Sequence, residues 1–159
     1  MPHKTVHPIR TIVATTLAQK NLGMQIRGDV FVREQGVPPH LERDGNDDTA
    51  TQYLAQSGKL TVGTARSRIL GQSEEKIERV AITKKYRGLG YGFTFMQQIL
   101  DSISSRGIEI VTIHAQIDVV PFYQRLNFKS VGPEFIEAGI VHQEMTVRPI
   151  RLSDSLAPD

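Results

Sequence analysis

The stretch "ERVAITKKYRGLGYGF", residues 78–93, decides how this chain is read. It opens with alternating apolar residues that suit a strand. It then places glycines at 88, 90 and 92 beside Arg87, and runs into a segment with helical spacing. A loop that leaves a strand and opens a helix carries unpaired N–H groups, and the helix dipole adds partial positive charge there. Glycines remove the Cβ atoms that would keep a phosphate away, and an arginine can fork onto phosphate oxygens. The stretch therefore reads as a cradle for a pyrophosphate. It also fits a plainer role, a turn that permits close strand–helix packing.

Three motifs can build such a cradle. G-x-G-x-x-G fails, because the third glycine after Gly88 and Gly90 would be position 93, which is Phe93. The Walker pattern fails because no Gly-Lys-Ser/Thr occurs. R/Q-x-x-G-x-G/A is satisfied by Arg87, Gly90 and Gly92.

Working outward, Phe93, Met96, Leu100 and Ile103 mark one face of a helix, with Gly107 as its C-terminal stop. Residues 108–115, "IEIVTIHA", are apolar on both faces, as a central parallel strand should be. Residues 76–115 thus form a right-handed strand–loop–helix–strand crossover. Upstream lie a strand near 11–16 and a helix carrying Leu22, Ile26, Val30 and Phe31 that ends near Gly36. A hairpin turning at Gly58 follows. Downstream, Asp118 is placed to cap a short helix with Pro121 in its first turn, and two short strands finish the chain. The class is α/β with a mixed sheet.

The 159 residues suit one domain, expected over 1–152, with a polar tail at 153–159 expected to be disordered. Net charge is +2 with no Lys/Arg run, so a nucleic-acid partner is not indicated. With no cysteine, disulfides, thiolate zinc sites and a Cys nucleophile are excluded. No signal peptide or membrane-spanning run is visible, so a cytoplasmic location is expected. No HExxH, GxSxG or paired-His metal spacing occurs, and no metal is expected. The loop Glu42, Asp44, Asp47, Asp48 fails as a calcium loop, since Thr49 and Ala55 stand where Gly and Glu are required. It reads as a solvated acidic loop, or as a feature attracting a cationic amine.

Residues 78–92 resemble motif A of the GCN5-related N-acetyltransferases, the GNAT superfamily, and "FYQRLNFKSVG" (122–132) resembles motif B. "VFVREQGVP" and "EAGIVHQEM" are similar to one bacterial branch, so the resemblance spans residues 25–147. It implies the acyl-CoA N-acyltransferase fold, a mostly antiparallel mixed sheet whose central parallel pair splays at the cofactor site. It implies acetyl-CoA as cosubstrate, a small-molecule primary amine as acceptor, and a homodimer as an expected assembly. Val80, Ala81 and Ile82 would bind the pantetheine arm, and Arg87, Gly88, Leu89, Gly90, Tyr91 and Gly92 the pyrophosphate, with Phe122 beside them. Tyr123 would be the general acid that protonates the departing thiolate; it also fits a packing role. Glu78 and His142 are candidate bases. Glu78 equally fits a strand carboxylate paired with Arg79 or Lys76, and water can relay the proton instead. Arg27, Phe31, Arg66 and His114 would face the acceptor. A CoA-binding module without turnover, or an acyl-homoserine-lactone-synthase-like enzyme using another acyl donor, remain alternatives.

Overall fold

The computed structural model describes residues 7–149, so the expected disordered tail at 153–159 lies outside the described residues, as do the ends of the expected 1–152 span. Its centre is a seven-stranded sheet in the order β1-β2-β3-β4-β5-β7-β6. The strands are β1 Ile9–Val13, β2 Thr51–Ser57, β3 Leu60–Ile69, β4 Glu74–Ile82, β5 Ile110–Gln116, β6 Lys129–Glu137 and β7 Ile140–Val147. Among the described residues, only the β4–β5 pair is parallel.

The helices are α1 Leu17–Arg27, α2 Pro39–Glu42, α3 Tyr91–Ser105 and α4 Val120–Gln124. A π-helical segment, Gly28–Glu34, continues α1. Helix α1 begins where Thr16 and Gln19 form a reciprocal capping box that satisfies two orphan N–H groups. The wider π turn is closed by the Gln35 N–H on the Val30 carbonyl, and Gly36 leaves it at φ +72°.

Helix α3 covers one face of the sheet. Phe95, Met96, Ile99 and Ile103 are fully buried there in one cluster with Tyr53, Val62, Ile77, Val111, Ile113 and Met145. Each large apolar side chain in such a core contributes about 1.5–3 kcal/mol, and Phe95→Ala would cost about 3–5 kcal/mol. The expected stripe holds at Met96, Leu100 and Ile103; Phe93 is only partly buried, with Arg125 over its ring.

The opposite face receives α1 and the π-helix, where Ile26 and Val30 pack on Ala81. Two expectations change here and at α4. Leu22 is 41% exposed, because the contacting stripe runs through Gly23 and Arg27. Gly23 lies so near the sheet that a Cβ would come within 2.9 Å of Thr64 Oγ1. Asp118 does not cap α4: it sits inside a 3-10 turn, Ile117–Val119, that leads directly into the helix. The last two strands, nine and eight residues long, pair as one hairpin.

Candidate active site

The parallel pair β4–β5 separates part-way. Its register runs from Glu74 opposite Ile110 to Ile77 opposite Ile113 and stops there, although both strands continue. The cause is a bulge in β4. Pairing with β3 jumps from Arg66–Glu78 to Thr64–Ala81, and Arg79 adopts φ +56°. A non-glycine residue in that region costs on the order of 1 kcal/mol or more. The Arg79 guanidinium offsets it by donating to the carbonyls of Leu41 and Glu42. Beyond the bulge, Glu78–Ile82 present backbone to an open wedge, with Val80 and Ile82 packed toward α3 and Ala81 toward α1.

The glycine loop closes one end of that wedge. The Arg87 N–H donates to Lys84 O, and Thr94 N–H closes the first helical turn on Gly90 O. Among the described residues, the amides of residues 88–93 between them find no backbone partner. Gly88 and Gly90 sit at φ +76° and +79°, and a Cβ on either would point into open space. The loop is therefore bare, amide-rich and seated on the N-terminus of a 15-residue helix, which is what an anionic pyrophosphate requires. Gly92 lies 3.6 Å (from its would-be Cβ) from both Ile82 and Phe122, so strand, loop and α4 meet there. Leu89 is exposed on the loop.

Two side chains of this loop differ from expectation. Tyr91 points inward, its hydroxyl 3.1 Å from Ser57 Oγ, so only its amide belongs to the cradle. Arg87 is not a free fork: it holds both carboxylate oxygens of Glu34, at 2.9 and 3.1 Å, and donates to Ile82 O at 2.9 Å.

Tyr123 sits on α4 between two aromatic edges, with ring centroids 5.0 Å from Phe122 and 5.7 Å from Phe128. Burial pushes its phenol well above the ordinary tyrosine value, so it stays protonated at neutral pH. Asn127, in the turn that follows this helix, sits at φ +68°, a geometry asparagine tolerates.

On the α1 face the acidic loop folds down onto two buried arginines. Arg27 is held by Glu42, at 2.6 and 2.7 Å, and by Asp47 at 2.5 Å. Arg66, 1% exposed, is held by Asp44, Asp47 and Glu78. Of the expected acceptor-facing residues, Arg27 and Arg66 are thus engaged in structural ion pairs rather than standing free. Burial opposes the charge on each, and the carboxylates outweigh it and raise both. The solvated-loop reading fails for the same reason, since Glu42, Asp44 and Asp47 are all bound. The Arg66 hydrogen bond, opposed by burial, drives Asp44 far below the carboxylate range.

Glu78 receives Arg66, Arg68 and Lys76 at 2.8–3.1 Å, with a side chain 9% exposed. Burial would push its carboxyl up; the Arg68 hydrogen bond, the Arg66 charge and Lys76 outweigh it and hold it at about 2. A carboxylate held there is a weak base.

The histidines lie across the wedge. His114 follows Ile113, the last residue paired to β4, and alternation turns it to the face opposite α3. His142, paired opposite Gln116, shares that face. Its Nδ1 lies 2.7 Å from Ile140 O, a contact that requires Nδ1–H, so the neutral ring keeps its lone pair on Nε2. Phe31 packs half-buried beside Ile26 and Val30. The π-helix end also reaches β5: Gln116 Nε2 donates to Gln35 Oε1 at 2.8 Å. Glu34, Gln35 and the Arg79 bulge escaped the sequence reading, because their partners lie 37 to 81 residues away.

No helix among the described residues is long and apolar enough to cross a membrane. Nor, among them, do three His, Cys, Asp or Glu gather at metal-binding distances.

The model of the acetyltransferase (GNAT) domain matches residues 13–149. A Bacillus subtilis (strain 168) chain, provisionally named an acetyltransferase, is 36% identical over 125 residues, 77% of this chain and 84% of its own. A Lactobacillus plantarum crystal structure, likewise provisionally named an N-acetyltransferase, superposes with a TM-score of 0.84 at 22% identity, over 91% of this chain and all of that one. A GNAT family acetyltransferase from Elizabethkingia anophelis, solved with acetyl-CoA bound, shares the fold at a TM-score of 0.65 and 13% identity, over 88% of this chain and 97% of its own. In the present chain the parallel strands part beside a bare glycine loop within the matched residues, and the chain belongs to the GNAT family as an N-acetyltransferase.

Proposed function

We propose that this enzyme transfers the acetyl group of acetyl-CoA directly to a primary amine of a small molecule, both substrates being bound together. The observation that carries the reading is the continuity of wedge and loop: strand backbone at 78–82, which β5 leaves unpaired, leads through the Lys84–Tyr86 turn to the unpaired amides of 88–93. A pantetheine arm has two amides to bond along a strand, and its diphosphate fits a helix N-terminus. The acetyl-CoA-bound fold neighbour supports the same donor.

In this reading the chain's residues divide the chemistry. The backbone from Val80 to Ile82 bonds the pantetheine, and the Val80 N–H polarises the thioester oxygen. Gly88, Leu89, Gly90, Tyr91 and Gly92 grip the diphosphate by backbone amides, with Phe122 against the arm. Arg87 acts through Glu34 and Ile82 O, fixing the loop to the strand end. The amine nitrogen attacks the carbonyl carbon; the C–N bond forms and the C–S bond breaks. His142 Nε2, the free lone pair of its ring, takes the amine proton. The Tyr123 hydroxyl gives its proton to the sulfur and recovers one from solvent. Glu78 holds Arg66, Arg68 and Lys76 in place of acting as base. With no cysteine in the chain, direct attack is the simplest route.

The test is release of CoA thiol across a panel of primary amines, with CoA binding followed by calorimetry. Turnover with some amines and loss of kcat in Tyr123→Phe support the reading. Tight CoA binding without thiol release from any amine would make the protein a CoA-binding module.

A further inference from the structure

Around Phe135, hydrogen-bond acceptors outnumber donors. The His114 ring stands between two carboxylates, with Nδ1 3.3 Å from Glu137 Oε1 and Nε2 3.5 Å from Glu144 Oε1. A neutral imidazole has one N–H and can serve only one of them. His142, the base for the reacting amine, borders the same carboxylates. Its side chain is 9% exposed, its N–H goes to Ile140 O, and its Nε2 lone pair faces Glu137 Oε2 at 3.8 Å without a hydrogen bond. Phe135 lines the same patch, edge-on to His114 at 4.9 Å and stacked on His142 at 5.9 Å.

The rest of this face is balanced differently. Glu34, Glu42, Asp44, Asp47 and Glu78 each bind at least one arginine. Among the described residues, Glu137 and Glu144 meet no lysine or arginine at ion-pair distance. An ammonium supplies three N–H donors and a positive charge, and an aromatic ring beside it adds attraction. Carboxylates also favour the charged form of an amine, which is not nucleophilic. The group they hold is therefore not the one that reacts.

We propose that Glu137 and Glu144, with Phe135 and His114, form a subsite for a second, non-reacting cation of the acceptor, so that the preferred acceptors are diamines or longer polyamines. This rests on the cleft beside β5 being the acceptor site. The reacting amine then reaches the thioester at the wedge while its distal ammonium lies between the two carboxylates.

The decisive comparison is calorimetric binding of 1,5-diaminopentane and 5-amino-1-pentanol to the CoA-saturated protein. The two probes match in length and differ in the second charge. The diamine should bind about tenfold more tightly, from two part-exposed ion pairs and one aromatic contact. Glu144→Gln should reduce that preference, and Glu137→Gln with Glu144→Gln should bring it near unity. Retained CoA affinity would certify that the variants fold. Equal binding of the two probes to the unaltered protein, or an undiminished preference in the double variant, would overturn the subsite. Thiol release from acetyl-CoA is read separately, so loss of turnover would count against the transferase mechanism and a missing diamine preference against this subsite.

Discussion

Replacing Glu78 by glutamine distinguishes a structural carboxylate from a catalytic one. In the folded protein the carboxyl sits at about 2, against an ordinary 4.5. At about 1.4 kcal/mol for each tenfold change in the protonation ratio, the difference corresponds to about 3 kcal/mol of stability at neutral pH. Because the folded value is the lower one, that stability is complete above about pH 4.5 and is lost as pH falls toward about 2. Glu78→Gln removes it and leaves three cations to adjust. Arg66 keeps Asp44 and Asp47, and Arg68, with a side chain 27% exposed, can turn to water, so the cost stays at about 3 kcal/mol. For a chain of this length that lowers Tm by about 6–12 °C at pH 7. The gap between the two proteins should narrow between about pH 4.5 and 2, as followed by thermal melts across a pH series. At 25 °C the folded variant should keep kcat within about tenfold of the parent. An unchanged Tm and acid limb, with kcat down about a hundredfold or more, would refute the structural assignment and make Glu78 the base.

Tyr123→Phe should lower kcat about a hundredfold while CoA affinity by calorimetry stays within about twofold, as befits a proton donor absent from ground-state binding. Gly90→Ala places a Cβ in the open space over the loop at φ +79°; KM for acetyl-CoA should rise about tenfold, and Tm should fall by a few degrees, from about 1 kcal/mol of backbone strain. Arg87→Ala should raise KM for acetyl-CoA more than it changes kcat. Glu34→Gln should reproduce part of that effect, because Glu34 holds the guanidinium; steady-state kinetics of both variants would check it. Gly63→Val would drive a Cβ to 2.5 Å from Ile82 Cδ1 and 3.0 Å from Ala81 O, and should cost about 1–3 kcal/mol by chemical denaturation.

The glycine loop was legible because it is written in backbone. Gly88, Gly90 and Gly92 declare where a Cβ is unwelcome, and Met96, Leu100, Ile103 and Gly107 bound the helix behind them. These are relations over a few residues, set by steric rules that hold in any fold. The charged residues on the α1 face were read less well. Arg27, Arg66 and Glu78 were sound choices as chemistry-bearing residues, but nothing in their own segments reveals their partners. Arg66 meets Asp44 and Asp47 across 22 and 19 residues, and Arg87 meets Glu34 across 53.

From its residues alone, then, this chain settled its crossover, its bare glycine loop and the family those belong to, because local backbone geometry follows from neighbours in sequence. Folding alone decided which charges cancel. It sealed Arg27 and Arg66 beneath the acidic loop and left Glu137 and Glu144, among the described residues, with imidazoles and no lysine or arginine as charged partners. A side chain's charge is fixed by its type, but whether it is neutralised depends on what the chain brings within a few ångströms of it.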